Sequence, residues 1–439
     1  MDEVHLELQD VDVVHDTVQR LLYRVKDEHN QTNRCLPSIY MVPNTLRDLS
    51  PSSFNPRVVS IGPLHKEDEN VQAFEGRKAN YLIDLMCRIH CPQEETLKSC
   101  AQKVHASMEQ IKACYVWKKT YSEVEIAEMM VMDACFILEF INWFSEFDKS
   151  HPGNFLLTQT IIYDLVLLEN QIPFFILDEI FRCTILKFDP EASLIKLFHR
   201  VLTFLNLFRA DIKLHNFSIN STPHILGLLH ECYKPQNYVT SVYFPSIIHS
   251  AVDLYRAGVN FRPNQNQTWM MGMEVDVYRL IPCLFGSWSK ASLRIPILSV
   301  HEFTELVFRN LIAYEQTGQT RSYVTSYVIA MNMLVNTQED VATLVDSKVL
   351  VNSIGSNEEA ANMINNMGNE VACLEFFYGQ QWETLNVYCD NYWPKNIAWL
   401  RRTYFNSPWN MIALFAGFIL FALTAVQTIF TIKSAGNKY

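Results

Sequence analysis

The sequence predicts a mainly α-helical protein, with a large helical body, a small antiparallel β element near residues 258–298 and one C-terminal transmembrane helix. Three observations carry this reading. Apolar residues recur at helical spacing over most of residues 71–257 and again from Ser299 onward. Between these stretches, VNFRPNQNQTWMMGMEVDVYRLIPCLFGSWSKASLRIPIL breaks into short β-like pieces separated by turn residues. The tail, from Trp409 to Ile432, reads WNMIALFAGFILFALTAVQTIFTI without a single charge, flanked by Arg401, Arg402 and Lys433.

Taken in order, Val4, Val11, Val18 and Val25 recur every seven residues, with Val14 and Leu21 at the second heptad position. This predicts an amphipathic helix over residues 3–28, packed on the body rather than paired as a coiled coil. Residues 30–70 read as a loop region broken by Pro37, Pro43, Pro51, Pro56 and Pro63, with a short strand at 57–61. Long helices are expected over 71–89, 94–117, 122–147 and 158–184, the third and fourth apolar enough to be largely buried. Pro173, inside LLENQIPFFIL, is expected to kink or split the fourth. Further helices are expected over 192–209, 224–233 and 245–257, and helices resume at Ser299 with breaks near 317–321, 352–357 and Gly379.

Four regions follow: an N-terminal helix and linker (1–34), a mainly helical domain (35–405), the span (409–432) and a short tail (433–439). At ~1.5 Å per residue, about twenty apolar residues cross a ~30 Å hydrocarbon layer. The acidic N-terminus MDEVHLELQDVDVV lacks the apolar core of a secretory signal, so insertion through the tail is expected. Lys395, Arg401 and Arg402 before the span, against Lys433 and Lys438 after it, favour a cytosolic body. The localisation expected is thus a single-pass membrane protein held by its C-terminal end.

Composition narrows the function classes. Hydrophobic residues make up 49 % of the 439 and aromatic residues 12 %, enough for a sizeable core, and 13 Gly and 17 Pro argue against a fibrous or disordered chain. A net charge of -11 with no Lys/Arg-rich run argues against nucleic-acid binding. The 11 cysteines are scattered singly, as expected of reduced core thiols, and the sequons at Asn30, Asn216, Asn220 and Asn266 are read as chance.

Few residues point to chemistry. Cys87, His90, Cys91, Cys100 and His105 form the sole Cys/His cluster, but without spaced Cys pairs on tight turns they read as core residues, and no metal is expected. Glu139 in CFILEF and Glu169 in LLENQIPFF are carboxylates in apolar runs. Such a group serves acid–base chemistry when its pKa is shifted, but more often it pairs and fixes helix register. His65 follows the Ile61-Gly62-Pro63-Leu64 turn and fits a capping or packing role. Phosphate-loop, dinucleotide, nucleophile-elbow and zincin motifs are absent, and no cofactor is expected.

Five stretches together resemble a known family: Val58-Val59-Ser60-Ile61-Gly62-Pro63, MMVMDACFILE (129–139), LLENQIPFFIL (167–177), RNLIAYEQ (309–316) and Tyr404-Phe405-Asn406-Ser407-Pro408-Trp409. In this order and spacing they are similar to the plant family called "domain of unknown function 247", over roughly residues 35–432. The resemblance implies a single C-terminal span and no established enzymatic activity, and some members are linked to pollen–stigma self-incompatibility in grasses. Members often carry two histidines after the Gly-Pro turn, where this chain has Leu64-His65-Lys66.

The motif residues Glu169, Asn170, Gln171, Pro173, Arg309, Asn310, Glu315 and Gln316 read as structural. Asn170 and Gln171 are expected to satisfy backbone groups freed by Pro173, and Glu169 to pair with Arg309 across helices. The function expected is that of a non-enzymatic, membrane-anchored interaction, recognition or signalling protein. Its partners would be the bilayer, through 409–432, and another protein meeting the N-terminal helix or the loops around 43–63. The alternative is a membrane-tethered enzyme whose pocket draws on Glu139, Glu169 and His65.

Overall fold

A helix that is apolar on every side has no face to give to solvent, and so it becomes the axis on which others pack. Glu123–Glu146 is that helix: from Asp133 to Asn142 every residue is buried, and Ile126, Met129, Met130 and Phe144 extend the buried surface. The computed structural model describes residues 15–22, 37–89, 92–146, 154–213, 222–235, 244–264, 268–283, 286–390 and 408–436.

The helices before the central one are α1 (Asn44–Arg47), α2 (Glu69–Arg88), α3 (Gln93–Ala106) and α4 (Met108–Ala113), and Glu123–Glu146 is α5. There follow α6 (Phe155–Asp164), α7 (Phe174–Cys183), α8 (Ile185–Phe188), α9 (Leu194–Leu205), α10 (Ile225–Cys232) and α11 (Ala251–Arg256). Helices α2, α3, α7 and α9 surround α5. Aromatic rings fill the contact: Phe136 meets Phe74 and Tyr81 edge-on at 5.6 and 5.0 Å, and Phe144 meets Phe204 at 6.1 Å.

The second half begins with β1 (Val259–Pro263), β2 (Glu274–Cys283), β3 (Gly286–Ile295) and β4 (Leu298–Val300). It continues with α12 (Thr304–Glu315), α13 (Tyr323–Leu334), α14 (Gln338–Asp346), β5 (Leu350–Asn352), α15 (Asn357–Met367), α16 (Gly379–Asp390) and α17 (Pro408–Gly436). Helices α12, α13 and α15 pack together, α10 joins them through α12, and one continuous apolar core runs through both halves.

Several expectations need correction. The β element is mixed rather than antiparallel, because β2 pairs antiparallel with β3 while β1 lies parallel on the other edge of β3. Side chains alternate faces along any strand, so the alternation does not identify which neighbour β1 pairs with. A second, two-stranded parallel sheet joins β4 to β5. The helix expected over 94–117 is two helices, because Ser107 leaves helical geometry (φ -104°, ψ 10°). The helix over 158–184 is split, as expected from Pro173: α6 ends at Asp164, and Pro173, at ψ 132°, stands outside α7 as its N-cap. Residues 57–61 form no strand.

The two ends also differ from expectation. Residues 15–22 are helical, but Val18, Leu21 and Leu22 are exposed rather than packed on the body, and the rest of the heptad pattern lies outside the described residues. Among the described residues no helix is long and apolar enough to cross a membrane, which overturns the transmembrane helix and the single-pass localisation. α17 has 29 residues, but its side chains are described without interruption only over 415–430. The side chains of Trp409 and Ile432 lie outside this described run, and residues 404–407 lie outside the described residues.

Candidate functional site: buried carboxylates that hold the backbone

The break between α6 and α7 is the centre of the site. Nine residues, 165–173, cross the core outside any helix; Leu165, Val166, Leu167 and Asn170 donate to carbonyls three or four residues back, and the remaining buried backbone groups must find other partners. The Gln171 side-chain amide donates to the carbonyls of Leu165 (2.7 Å) and Leu167 (2.8 Å), and its oxygen accepts from Leu226 N–H (3.2 Å). Asn170 donates to Asp164 O (2.9 Å) and Val59 O (3.0 Å) and accepts from Ile61 N–H (2.6 Å). From α12, Asn310 accepts from Leu168 N–H (2.8 Å) and donates to Ser53 O (2.7 Å) and Leu306 O (2.8 Å).

The segment 57–62 lies against this break, and its N–H groups go to side chains instead of a neighbouring strand. Asp164 accepts from Arg57 (2.9 Å), Val58 (2.8 Å) and Val59 (3.0 Å), and Asp133 accepts from Gly62 (2.8 Å). Gly62 adopts φ 72°, a left-handed conformation that disfavours side chains, and a Cβ there would collide with the Gln171 carbonyl. The fully buried Lys78 Nζ reaches Asp133 (2.6 Å), Glu75 (2.6 Å) and the Ser60 carbonyl.

Glu169 closes the other side. One oxygen accepts from Val42 N–H (2.6 Å) and pairs with Arg47; the other faces His65 Nε2 at 2.8 Å, while His65 Nδ1 meets Asp68 at 2.6 Å. The pairing expected between Glu169 and Arg309 is not formed. Arg309 instead bonds Glu305 one turn away (2.7 Å) and the Asn366 carbonyl (3.3 Å). Helix spacing favours the i−4 carboxylate over one on another element.

A further buried acid organises α12 and α13. Glu315 accepts from the N–H groups of Val324 (2.8 Å) and Thr325 (2.7 Å), in the first turn of α13, and faces His230 Nε2 at 2.8 Å. His230 Nδ1 meets the Tyr323 hydroxyl at 2.7 Å. Gln316 fixes the chain at Ala372, donating to its carbonyl (3.1 Å) and accepting from its N–H (3.0 Å).

Burial raises the pKa of the carboxylates that lack enough compensation. Asp164 is pushed up to about 6 by burial, against the pull of its three N–H donors. Burial also raises Asp133, with Lys78 and the Gly62 N–H opposing it. On Lys78, burial works against the charge, but Asp133 and Glu75 outweigh it and leave the pKa above its ordinary value. Glu139, on α5, is pushed up to about 7 by burial despite Arg88 at 2.8 Å, and its Oε2 has no hydrogen-bond partner.

The site thus brings Glu169 and His65 together and places Glu139 elsewhere, against Arg88. Sequence reasoning missed Asp133, Asp164 and Lys78. The two acids carried a signal, as charges inside the apolar runs MMVMDACFIL and TIIYDLVLL. Among the described residues no group of three His, Cys, Asp or Glu is arranged to hold a metal; Cys87 and His105 are exposed, and His90 and Cys91 lie outside those residues. The loops around 43–63, expected to be a contact region, bury Leu46, Phe54, Val59 and Ile61 and form part of the core.

The fold and site define a helical protein whose family-like motifs tie three chain segments to one another. The comparisons give the family: its sequence profile, described as a plant protein of unknown function, matches residues 39–423, and this chain belongs to that family, DUF247. It is similar to "UPF0481 protein At3g47200" of Arabidopsis thaliana, at 27% identity, covering 91% of this chain and 87% of that protein. It is also similar to "Putative UPF0481 protein At3g02645" of the same plant, at 24% identity, covering 93% of each. No solved structure matches.

Proposed function

We propose that this chain is a non-catalytic interaction protein that presents a rigid surface for recognition or signalling. The carrying observation is that each buried acid among the described residues has a structural partner. Asp133, Asp164, Glu169, Glu315 and Asp340 hold backbone N–H groups, and Glu139 and Asp178 face Arg88 and Arg182. Acids that hold backbone N–H groups in this way are not available to a substrate, and only Glu139 among these keeps an oxygen free. Apolar side chains that stay in solvent lie on and just before α16 and on the segment bonded to it. Phe244 stacks on Phe376 (5.4 Å), the Ile247 carbonyl accepts from Asn386 (3.2 Å), and Leu374 and Val387 beside them are 81% and 63% exposed. Exposed apolar groups that neighbour one another on a protein surface favour a protein contact.

Proximity labelling in plant cells tests this reading. Neighbours of the full chain are expected to be lost with Leu374→Asp and Val387→Asp together, and kept with Glu139→Gln. A second reading, an enzyme using Glu139 as acid or base, is favoured only by its free oxygen and raised pKa. Neighbours lost with Glu139→Gln, in a variant that stays folded, would favour that second reading.

A further inference from the structure

Three cysteines converge where α3, α5 and α7 meet: Cys100, Cys135 and Cys183. Nothing in the buried carboxylate network involves them. Cys183 is the last residue of α7, and the Ser99 hydroxyl lies 3.5 Å from its Sγ. Cys100, the next residue on α3, presents its S–H to the same sulfur. Lys103, one turn further, adds positive charge, balanced in part by Glu179 at 3.0 Å from its Nζ. Two hydroxyl- or thiol-type donors and a nearby ammonium aimed at one sulfur are what stabilises a thiolate.

We propose that Cys183 and Cys100 are an oxidant-responsive thiol pair, which a hydroperoxide converts into a disulfide joining α3 to α7. The Cys183 thiolate attacks the peroxide; an S–O bond forms, the O–O bond breaks, and the leaving oxygen takes up a proton. Cys183 is then a sulfenic acid. Once it carries oxygen, no thiolate holds the Cys100 proton in place. Cys100 loses that proton and attacks the Cys183 sulfur; the S–S bond forms, the S–O bond breaks and water leaves. Two thiols supply two electrons, and hydrogen peroxide becomes two waters. Cys135 is not the partner, since Cys100 is the group that donates to Cys183.

The donors pull Cys183 down to about 6 although burial opposes them, with Cys100 first and Ser99 and Lys103 adding, while the proton they share stays on Cys100. A low thiol pKa raises the thiolate fraction but lowers nucleophilicity, so the pH profile is a better readout than the rate at pH 7.

The full-length protein is treated with hydrogen peroxide, its remaining thiols are alkylated, and it is digested with trypsin without reduction. The expected product is the peptide SCAQK (99–103) linked to CTILK (183–187). Cys183→Ser and Cys100→Ser each abolish it, and Cys100→Ser leaves a sulfenic acid on Cys183 that a cyclic dione traps. In the untreated wild type, iodoacetamide modification of Cys183 should have its midpoint near pH 6. A midpoint near the ordinary ~8.5, or oxidation of exposed Cys87 with the 100–183 link absent, overturns the proposal. The wild-type peptide and pH profile decide the matter even if a variant fails to fold.

Discussion

Glu169 shows how much of this fold rests on one side chain. Its two oxygens serve one backbone N–H, one guanidinium and one imidazole, drawn from positions 42, 47 and 65. Replacing it with Ala strands all three in a buried site, and removing one partner of such a set costs about 3–5 kcal/mol. Urea unfolding of Glu169→Ala is therefore expected to show that loss. Glu169→Gln keeps an oxygen for Val42 N–H and should cost less, about 1–3 kcal/mol. A loss below about 1 kcal/mol for the Ala variant would mean that water enters and takes over these bonds. Gln171 plays a comparable part with its amide, which ties the carbonyls of Leu165 and Leu167 to Leu226 N–H of α10.

At the level of elements, segment 57–62 shows what local sequence could and could not reveal. Val58, Val59 and Ile61 have the residue types of a strand, yet no strand lies beside them, because Asp164, Asn170 and Asp133 take the N–H groups that a strand would have used. The helices 69–88 and 123–146 were legible because helical periodicity is local. The partners of Glu169 were not, since Arg47 and His65 lie 122 and 104 residues away and nothing local selects them. Replacement of Asp164 with Ala tests the latch. Amide exchange at Arg57, Val58 and Val59 should speed up by roughly 10–100-fold, while Ile61 and Gly62, held by other side chains, keep their protection. Equal loss of protection across 57–62 would show that the segment opens as one unit, without separate ties.

For the whole molecule, the raised carboxylates dictate how stability varies with pH. Asp164 moves from 3.8 to about 6 and Glu139 from 4.5 to about 7, each because burial penalises the charged form. Between those values the folded chain holds protons that the unfolded chain has already released. Stability contributed by these two acids is therefore present at low pH and lost as pH rises from about 4 to about 7. Glu75 and Asp340 are lowered, despite burial, by the lysines at positions 66 and 78 and by backbone donors respectively. Their contribution runs the other way and disappears as pH falls below the ordinary carboxylate range. The two trends oppose each other, so the net pH dependence is shallower than either alone. Glu139→Gln removes the larger of the two raised shifts without changing the side-chain shape. Relative to the wild type, its unfolding free energy should improve by about 1–2 kcal/mol between pH 5 and pH 8, a figure reduced from the full shift because Arg88 is partly exposed to solvent. Urea unfolding of both proteins at the two pH values measures this difference. Parallel curves would mean that Glu139 stays charged when folded, with Arg88 outweighing its burial.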